Sequence, residues 1–177
     1  MTIRPLAPAD HEAAAAIYNH YVATSTATFQ TDPVTPEEWA AEATGGDPDR
    51  HGAWALLDGD AFAGYVLVQP FKSRCAYRDT AEVTVYLAPD LTGRGLGAAA
   101  LEHVDAHADD ADLHALVAVV CAENDASLRT FERHGYERVA HLREVGTKFG
   151  RRLDVVYLEN LLPGSRVRAV ARAWGDS

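Results

Sequence analysis

Apolar positions change period repeatedly along the chain, and each change marks an element. Residues 2–6 predict a short strand. Ala14, Ile17, Tyr18 and Tyr21 follow the i, i+3, i+4, i+7 spacing of a helix, with Asp10 placed as its N-cap. Residues 24–34 are polar and threonine-rich, a loop carrying Phe29. Thr35-Pro36-Glu37-Glu38-Trp39 opens a second helix, because Pro is favoured at the first helical position, and Gly45-Gly46-Asp47-Pro48 closes it. The apolar runs 53–57 and 61–68 flank Asp58-Gly59-Asp60, a hairpin signal. In residues 80–88, Ala81, Val83, Val85 and Leu87 share one strand face, and Glu82, Thr84 and Tyr86 share the other. Leu96, Ala100, Leu101, Val104 and Ala108 define an amphipathic helix. Residues 115–121 are apolar on both faces, which predicts a central, covered strand. A helix over 124–134 stops at Gly135, and strands follow over 136–145 and 153–161. The predicted order is β-α-α-β-β-β-α-β-α-β-β, a mixed α/β domain over residues 1–162 with helices on both sheet faces. Residues 163–177 carry Arg166, Arg168 and Arg172 without a strand pattern, a tail or short helix.

Composition narrows the function. The 177 residues suit one domain. Sixteen basic residues face 26 acidic ones, for a net charge of −10. That excess argues against nucleic acid, which needs a basic face. Lys72 and Lys148 are the only lysines, and with the acid surplus they resemble the surface of a salt-adapted protein. No apolar run reaches the roughly 18 residues of a membrane span, and no signal-peptide pattern opens the chain. A soluble cytoplasmic protein is expected. The two cysteines, Cys75 and Cys121, lack metal spacing, and the eight histidines form no HExxH pair. No metal is expected.

The richest chemistry lies in Leu91-Thr92-Gly93-Arg94-Gly95-Leu96-Gly97-Ala98, where a strand gives way to a helix through glycines. Glycine lets backbone N–H groups approach a ligand closely. A helix start adds unpaired N–H groups and a positive dipole end, and Arg94 adds a fork suited to phosphate. The alternative is a connection that only packs tightly. Gly97-Ala98-Ala99 lacks the Gly-Lys-Ser/Thr of a nucleotide triphosphate loop. The stretch matches G-x-G-x-x-G/A, but the nearest acid after the next strand, Glu123, lies about 30 residues on rather than the usual 20 or so.

Thr92-x-x-Gly95-x-Gly97, with Asn124-x-x-Ser127 and Phe131-x-x-x-Gly135-Tyr136, resembles the GNAT superfamily of acetyl-CoA-dependent N-acetyltransferases. The resemblance extends to about residue 162 and implies a mostly antiparallel central sheet. Tyr18-Asn19-His20-Tyr21, Thr26-Ala27-Thr28-Phe29, Lys72-Ser73-Arg74-Cys75-Ala76-Tyr77, Glu82-Val83-Thr84-Val85-Tyr86 and Gly146-Thr147-Lys148-Phe149-Gly150 are similar to the phosphinothricin or methionine sulfone/sulfoximine N-acetyltransferase subfamily. Thr92 stands where Gln or Arg is usual, Phe131 where many members have Tyr, and Arg152 where the subfamily usually has Trp.

The resemblance implies acetyl-CoA as cosubstrate, a small amino-acid-type amine as acceptor, and a homodimer. It assigns Glu82 as general base for direct attack, a role its place on a strand before the glycine turn also permits. It assigns acetyl-CoA contacts to Val85, Tyr86 and Leu87 through their backbone, to Gly93, Arg94, Gly95, Leu96, Gly97 and Ala98, and to Asn124 and Ser127. Asn124 also suits a helix N-cap. Acceptor contacts fall to Phe29, Lys72, Arg74, Ala76, Tyr77 and Lys148. Another amine, such as a peptide N-terminus, a polyamine or an aminoglycoside, and a non-catalytic acyl-CoA-binding module remain alternatives.

Overall fold

The computed structural model describes residues 1–162, so the expected tail or short helix at 163–177 lies outside the described residues. Seven strands form one sheet in the order β1-β2-β3-β4-β5-β7-β6. They are β1 (Thr2–Pro5), β2 (Gly52–Asp58), β3 (Ala61–Pro70), β4 (Thr80–Leu87), β5 (Ala115–Cys121), β6 (Glu137–Lys148) and β7 (Arg151–Leu161). Four helices complete the fold: α1 (His11–Thr24), α2 (Pro36–Ala43), α3 (Leu96–Asp110) and α4 (Asp125–Arg133). The element order and the helices on both faces match the sequence expectation. Every neighbouring strand pair is antiparallel except β4 and β5, which run parallel.

Period-2 alternation in β3 and β4 builds two cores. Val66, Val68, Ala81 and Val83 face α3 and α4 and join Leu101, Val104, Leu116, Leu128 and Phe131. Tyr65 and Leu67 face the other way and pack with Ala14, Ile17 and Trp39 of α1 and α2, and Tyr86 packs against this second cluster. β3 is thus covered on both faces, and β4 carries Glu82, Thr84 and Tyr86 on the face under α1 and α2. β5 departs from the expectation at one point. Val119 is 38% exposed, because α1 and α2 lie over β3 and β4 and leave this part of β5 uncovered.

Asp10 stands at the expected cap position of α1, but its side chain does not cap that helix. Its carboxylate accepts from Arg4 Nη1 and Nη2 at 2.7 and 2.8 Å and from the Ala7 N–H at 2.7 Å. The Arg4 hydrogen bonds hold it below the usual carboxylate range. The pair ties β1 to the start of α1.

α2 begins with a reciprocal cap. Thr35 Oγ1 accepts from the Glu38 N–H at 3.2 Å, and Glu38 Oε2 accepts from the Thr35 N–H at 2.8 Å. At eight residues, the helix is too short to persist without caps and packing. Thr35→Ala is expected to lower stability by about 1 kcal/mol, the usual worth of such a cap. An unchanged urea midpoint would show that α2 is held by packing alone.

Candidate active site

β4 and β5 pair over only three positions: Thr80 with Ala115, Ala81 with Leu116 and Glu82 with Val117. Beyond Glu82 the strands part, while β4 stays paired to β3 as far as Leu87 and β5 stays paired to β7 as far as Cys121. The result is a wedge-shaped gap inside the sheet. Antiparallel pairing alternates the direction of backbone groups. The Ala88 N–H donates to the Ala63 carbonyl at 2.8 Å, so the even-numbered residues of β4 turn their amides to β3. Val85 and Leu87, which lie beyond the last rung between β4 and β5, therefore turn theirs into the gap. Of the three expected backbone contributors, Val85 and Leu87 face the gap and Tyr86 pairs with Tyr65 on β3. Tyr21 Oη donates to the Leu87 carbonyl at 2.8 Å, closing that acceptor from α1.

At the wide end of the gap sits the glycine turn. Gly93 and Gly95 adopt φ of 75° and 82°, a conformation costly for any residue with a Cβ. Gly95 is the N-cap of α3 and offers no side-chain cap. The N–H groups of Leu96, Gly97 and Ala98 belong to the first turn of the helix, where no intrahelical carbonyl is available. The space above Gly93 and Gly95 is open: a Cβ built on either meets nothing within 4 Å. Arg94 adjoins the turn, ion-paired to Asp58 at 3.4 Å with both side chains exposed. Such a pair is weak, so the guanidinium can exchange Asp58 for a phosphate. These residues fit a diphosphate. Across the gap, Asn124 Oδ1 accepts from the Ser127 N–H at 3.2 Å and caps α4.

Glu82 stands where β4 and β5 separate. Burial raises the pKa of its carboxyl, and the positive charge of Lys72 works in the opposite direction. It borders two cavities. The inner chamber, about 160 Å³, lies under α1 and α2 among Tyr18, Trp39, Tyr65 and Tyr86, with Glu42, Gln69 and Thr84. The outer cleft, about 630 Å³, is bordered by Lys72, Ser73, Arg74, Cys75 and Arg78, with His51, Gly46 and Glu42.

The expected acceptor residues separate into two groups. Lys72 and Arg74 border the outer cleft. Ala76 and Tyr77 lie next to it on the exposed turn Cys75–Tyr77, with Tyr77 against the ring of Phe71. Phe29 and Lys148 line neither cavity. The Phe29 ring lies against Gly146, where an added Cβ would sit 2.1 Å from Cε2. The Lys148 ammonium is buried and donates to the Thr28 carbonyl at 2.8 Å and the Tyr21 carbonyl at 3.4 Å, and burial lowers its pKa. Both hold the 24–34 loop against β6. Sequence patterning did not single out Trp39, Glu42, Tyr65, Gln69 or His51 as cavity residues. Tyr65 alone carried a signal, a phenol in the apolar run of β3. Its hydroxyl accepts from Trp39 Nε1 at 3.2 Å.

A helix start able to take two phosphates, beside a strand edge with idle amides, suits one long ligand with a phosphate end and an amide-rich arm. That is the arrangement of an acyl-CoA-dependent acyltransferase. The chain belongs to the acetyltransferase (GNAT) family, whose match spans residues 14–136. It is 37% identical over 164 residues to a phosphinothricin N-acetyltransferase of Streptomyces coelicolor, covering 90% of this chain and 95% of that one. It is 33% identical over 172 residues to an L-methionine sulfoximine/L-methionine sulfone acetyltransferase of Pseudomonas aeruginosa, covering 92% and 95%. The fold also matches a GNAT superfamily phosphinothricin acetyltransferase from Sinorhizobium meliloti in complex with acetyl-CoA, with a TM-score of 0.89 at 25% identity over 97% and 94% of the two chains. The protein is an acetyl-CoA-dependent N-acetyltransferase. Among the described residues, no cluster of His, Cys, Asp or Glu could hold a metal ion, and no helix is long and apolar enough to cross a membrane.

Gly95→Val is expected to weaken acetyl-CoA binding. The new side chain meets no protein atom but fills the open space above the turn and strains a positive φ. Calorimetry on the folded variant is the check, and an affinity equal to wild type would place the phosphates elsewhere.

Proposed function

We propose that the enzyme acetylates the amine of a small amino-acid-type acceptor, with Glu82 as general base for direct attack. The observation that carries this reading is the position of Glu82, at the narrow end of the gap and on the border of both cavities. Relatives named for phosphinothricin and for methionine sulfoximine and sulfone support an acceptor of this kind. Acetyl-CoA supplies the acetyl thioester. Leu96, Gly97 and Ala98 would hold its phosphates through backbone N–H groups, with Arg94 beside them and Asn124 and Ser127 across the gap. Glu82 accepts a proton from the acceptor's ammonium, which frees the nitrogen lone pair for attack. The new C–N bond forms as the C–S bond breaks, the CoA sulfur departs as thiolate, and the nitrogen's second proton passes to that thiolate or to water. The N–H group of Val85, beyond the last rung between β4 and β5, is a donor for the negative charge that builds on the carbonyl oxygen. Phe131 is buried against Tyr136 and has no proton to give, so it supplies no acid for the leaving thiolate.

Lys72 and Arg74 at the outer cleft suit the acceptor's carboxylate. The protein's net negative charge disfavours an anion, and these cations offset it locally.

Glu82→Gln keeps the shape of the side chain and removes the base. Turnover is expected to fall about 10²–10⁴-fold, with acetyl-CoA affinity nearly unchanged. Because burial raises the Glu82 pKa, the acid limb of the wild-type kcat/KM profile should lie above the ordinary carboxylate range and vanish in the variant. Near wild-type turnover in Glu82→Gln at neutral pH would remove this residue from the mechanism.

The chain is also proposed to pair as a homodimer through β6. This strand ends the sheet, is exposed along almost all of its length and presents Val139, Leu142 and Val145 at 55%, 41% and 56% exposure. An open apolar edge of this kind invites a covering chain. Sedimentation at micromolar concentration in high salt should show twice the 19.1 kDa chain mass; a single species at the chain mass would refute the pairing.

A further inference from the structure

Glu42 and Glu82 border both cavities, and the two differ in their cations. Lys72, Arg74 and Arg78 all border the outer cleft. No lysine, arginine or histidine lines the inner chamber, whose described lining pairs the carboxylates of Glu42 and Glu82 with aromatic rings. Glu42 reaches this space electrostatically: its charge raises the pKa values of both Tyr18 and Tyr86. Its backbone is pinned there, because Gln69 Nε2 donates to the Glu42 carbonyl at 2.7 Å. Among the described residues, no donor is bonded to the Glu82 carboxylate, and Lys72 is its one electrostatic neighbour. An anionic group in the inner chamber would meet two like charges with no cation to offset them. A cationic group would meet two carboxylates and the rings of Tyr18 and Tyr86, both favourable to positive charge.

We infer that the preferred acceptor is a short α-amino acid whose side chain ends in a cation, with its carboxylate at Lys72 and Arg74, its α-amine at Glu82 and its side-chain cation in the inner chamber beside Glu42. This rests on the proposed acetylation of an amino-acid amine and narrows it. The size of the chamber favours a side chain of a few heavy atoms. It also separates this chain from an enzyme tuned to an acceptor with a phosphinate side chain, whose anion would have to lie between Glu42 and Glu82.

The test compares L-2,4-diaminobutyrate with L-norvaline, its uncharged counterpart, and with L-aspartate, by thiol release at saturating acetyl-CoA with the full chain. The expected kcat/KM for diaminobutyrate exceeds that for norvaline by about tenfold, the lower end for a charge-assisted contact at a partly solvated site. Aspartate should fall below both, and NMR should show acetylation at Nα. In Glu42→Gln, checked for folding by urea denaturation, the ratio of diaminobutyrate to norvaline should fall towards one, mainly through KM for diaminobutyrate. Equal use of norvaline, preference for aspartate, acetylation at Nγ, or an unchanged ratio in Glu42→Gln would each overturn this inference, while leaving amino-acid acetylation in place. Failure to acetylate any of the three, with acetyl-CoA still bound in calorimetry, would remove both readings. The wild-type comparison stands even where the variant does not fold.

Discussion

The loss of pairing between β4 and β5 after Glu82 is the constraint on which the rest of the site depends. Backbone donors and acceptors inside a sheet are ordinarily consumed by the ladder. Here the ladder stops at Glu82 and Val117, and the amides of Val85 and Leu87 are left facing a gap. An unpaired edge inside a protein is costly unless a ligand or water satisfies it. The fold accepts that cost because each strand remains anchored on its other side, β4 to β3 and β5 to β7. The gap is therefore a stiff slot. Glu82 stands at its narrow end, and its wide end opens on the uncapped start of α3.

The helical layers serve different ends. α3 and α4 bring the anion-binding turn and Asn124 to the two sides of the slot. α1, α2 and the loop between them form the roof over the acceptor side. That roof is held by polar bonds that are unusually specific: Lys148 to the carbonyls of Tyr21 and Thr28, Tyr18 to Thr28 at 2.9 Å, Tyr86 to the Ala27 carbonyl at 3.2 Å, and Asn19 to Val34 through both of its amide atoms. A buried ammonium without a carboxylate survives only where carbonyls surround it, which suits Lys148 to an architectural role. The acceptor side is thus shaped by a fixed loop, and its charge is divided. Glu42 and Glu82 border both cavities; among the described residues cations stand only at the outer cleft, and aromatic rings surround the inner chamber. Glu82 sits on the boundary, so the side chain proposed as the base also stands between two electrostatic environments.

Much of this was legible in the chain itself. The period of apolar residues placed all seven strands and four helices, because each face of an element must be apolar where another layer covers it. The glycine turn was legible because positive φ and close backbone approach are demands that glycine meets and other residues rarely do. The alternation around Glu82 placed it opposite Val83 and on the face shared with Thr84 and Tyr86, as the structure has it. Three things were decided only by tertiary structure. Where β4 and β5 separate depends on how each strand is anchored by its other neighbour, and no local pattern encodes that. Phe29 and Lys148 join the 24–34 loop to β6, a placement set by packing across more than a hundred residues of sequence. Glu42, Tyr65 and Trp39 carried only helix and strand patterning in the sequence. They form one chamber because α2 crosses β3, which brings together residues whose chemistry has meaning only in each other's presence.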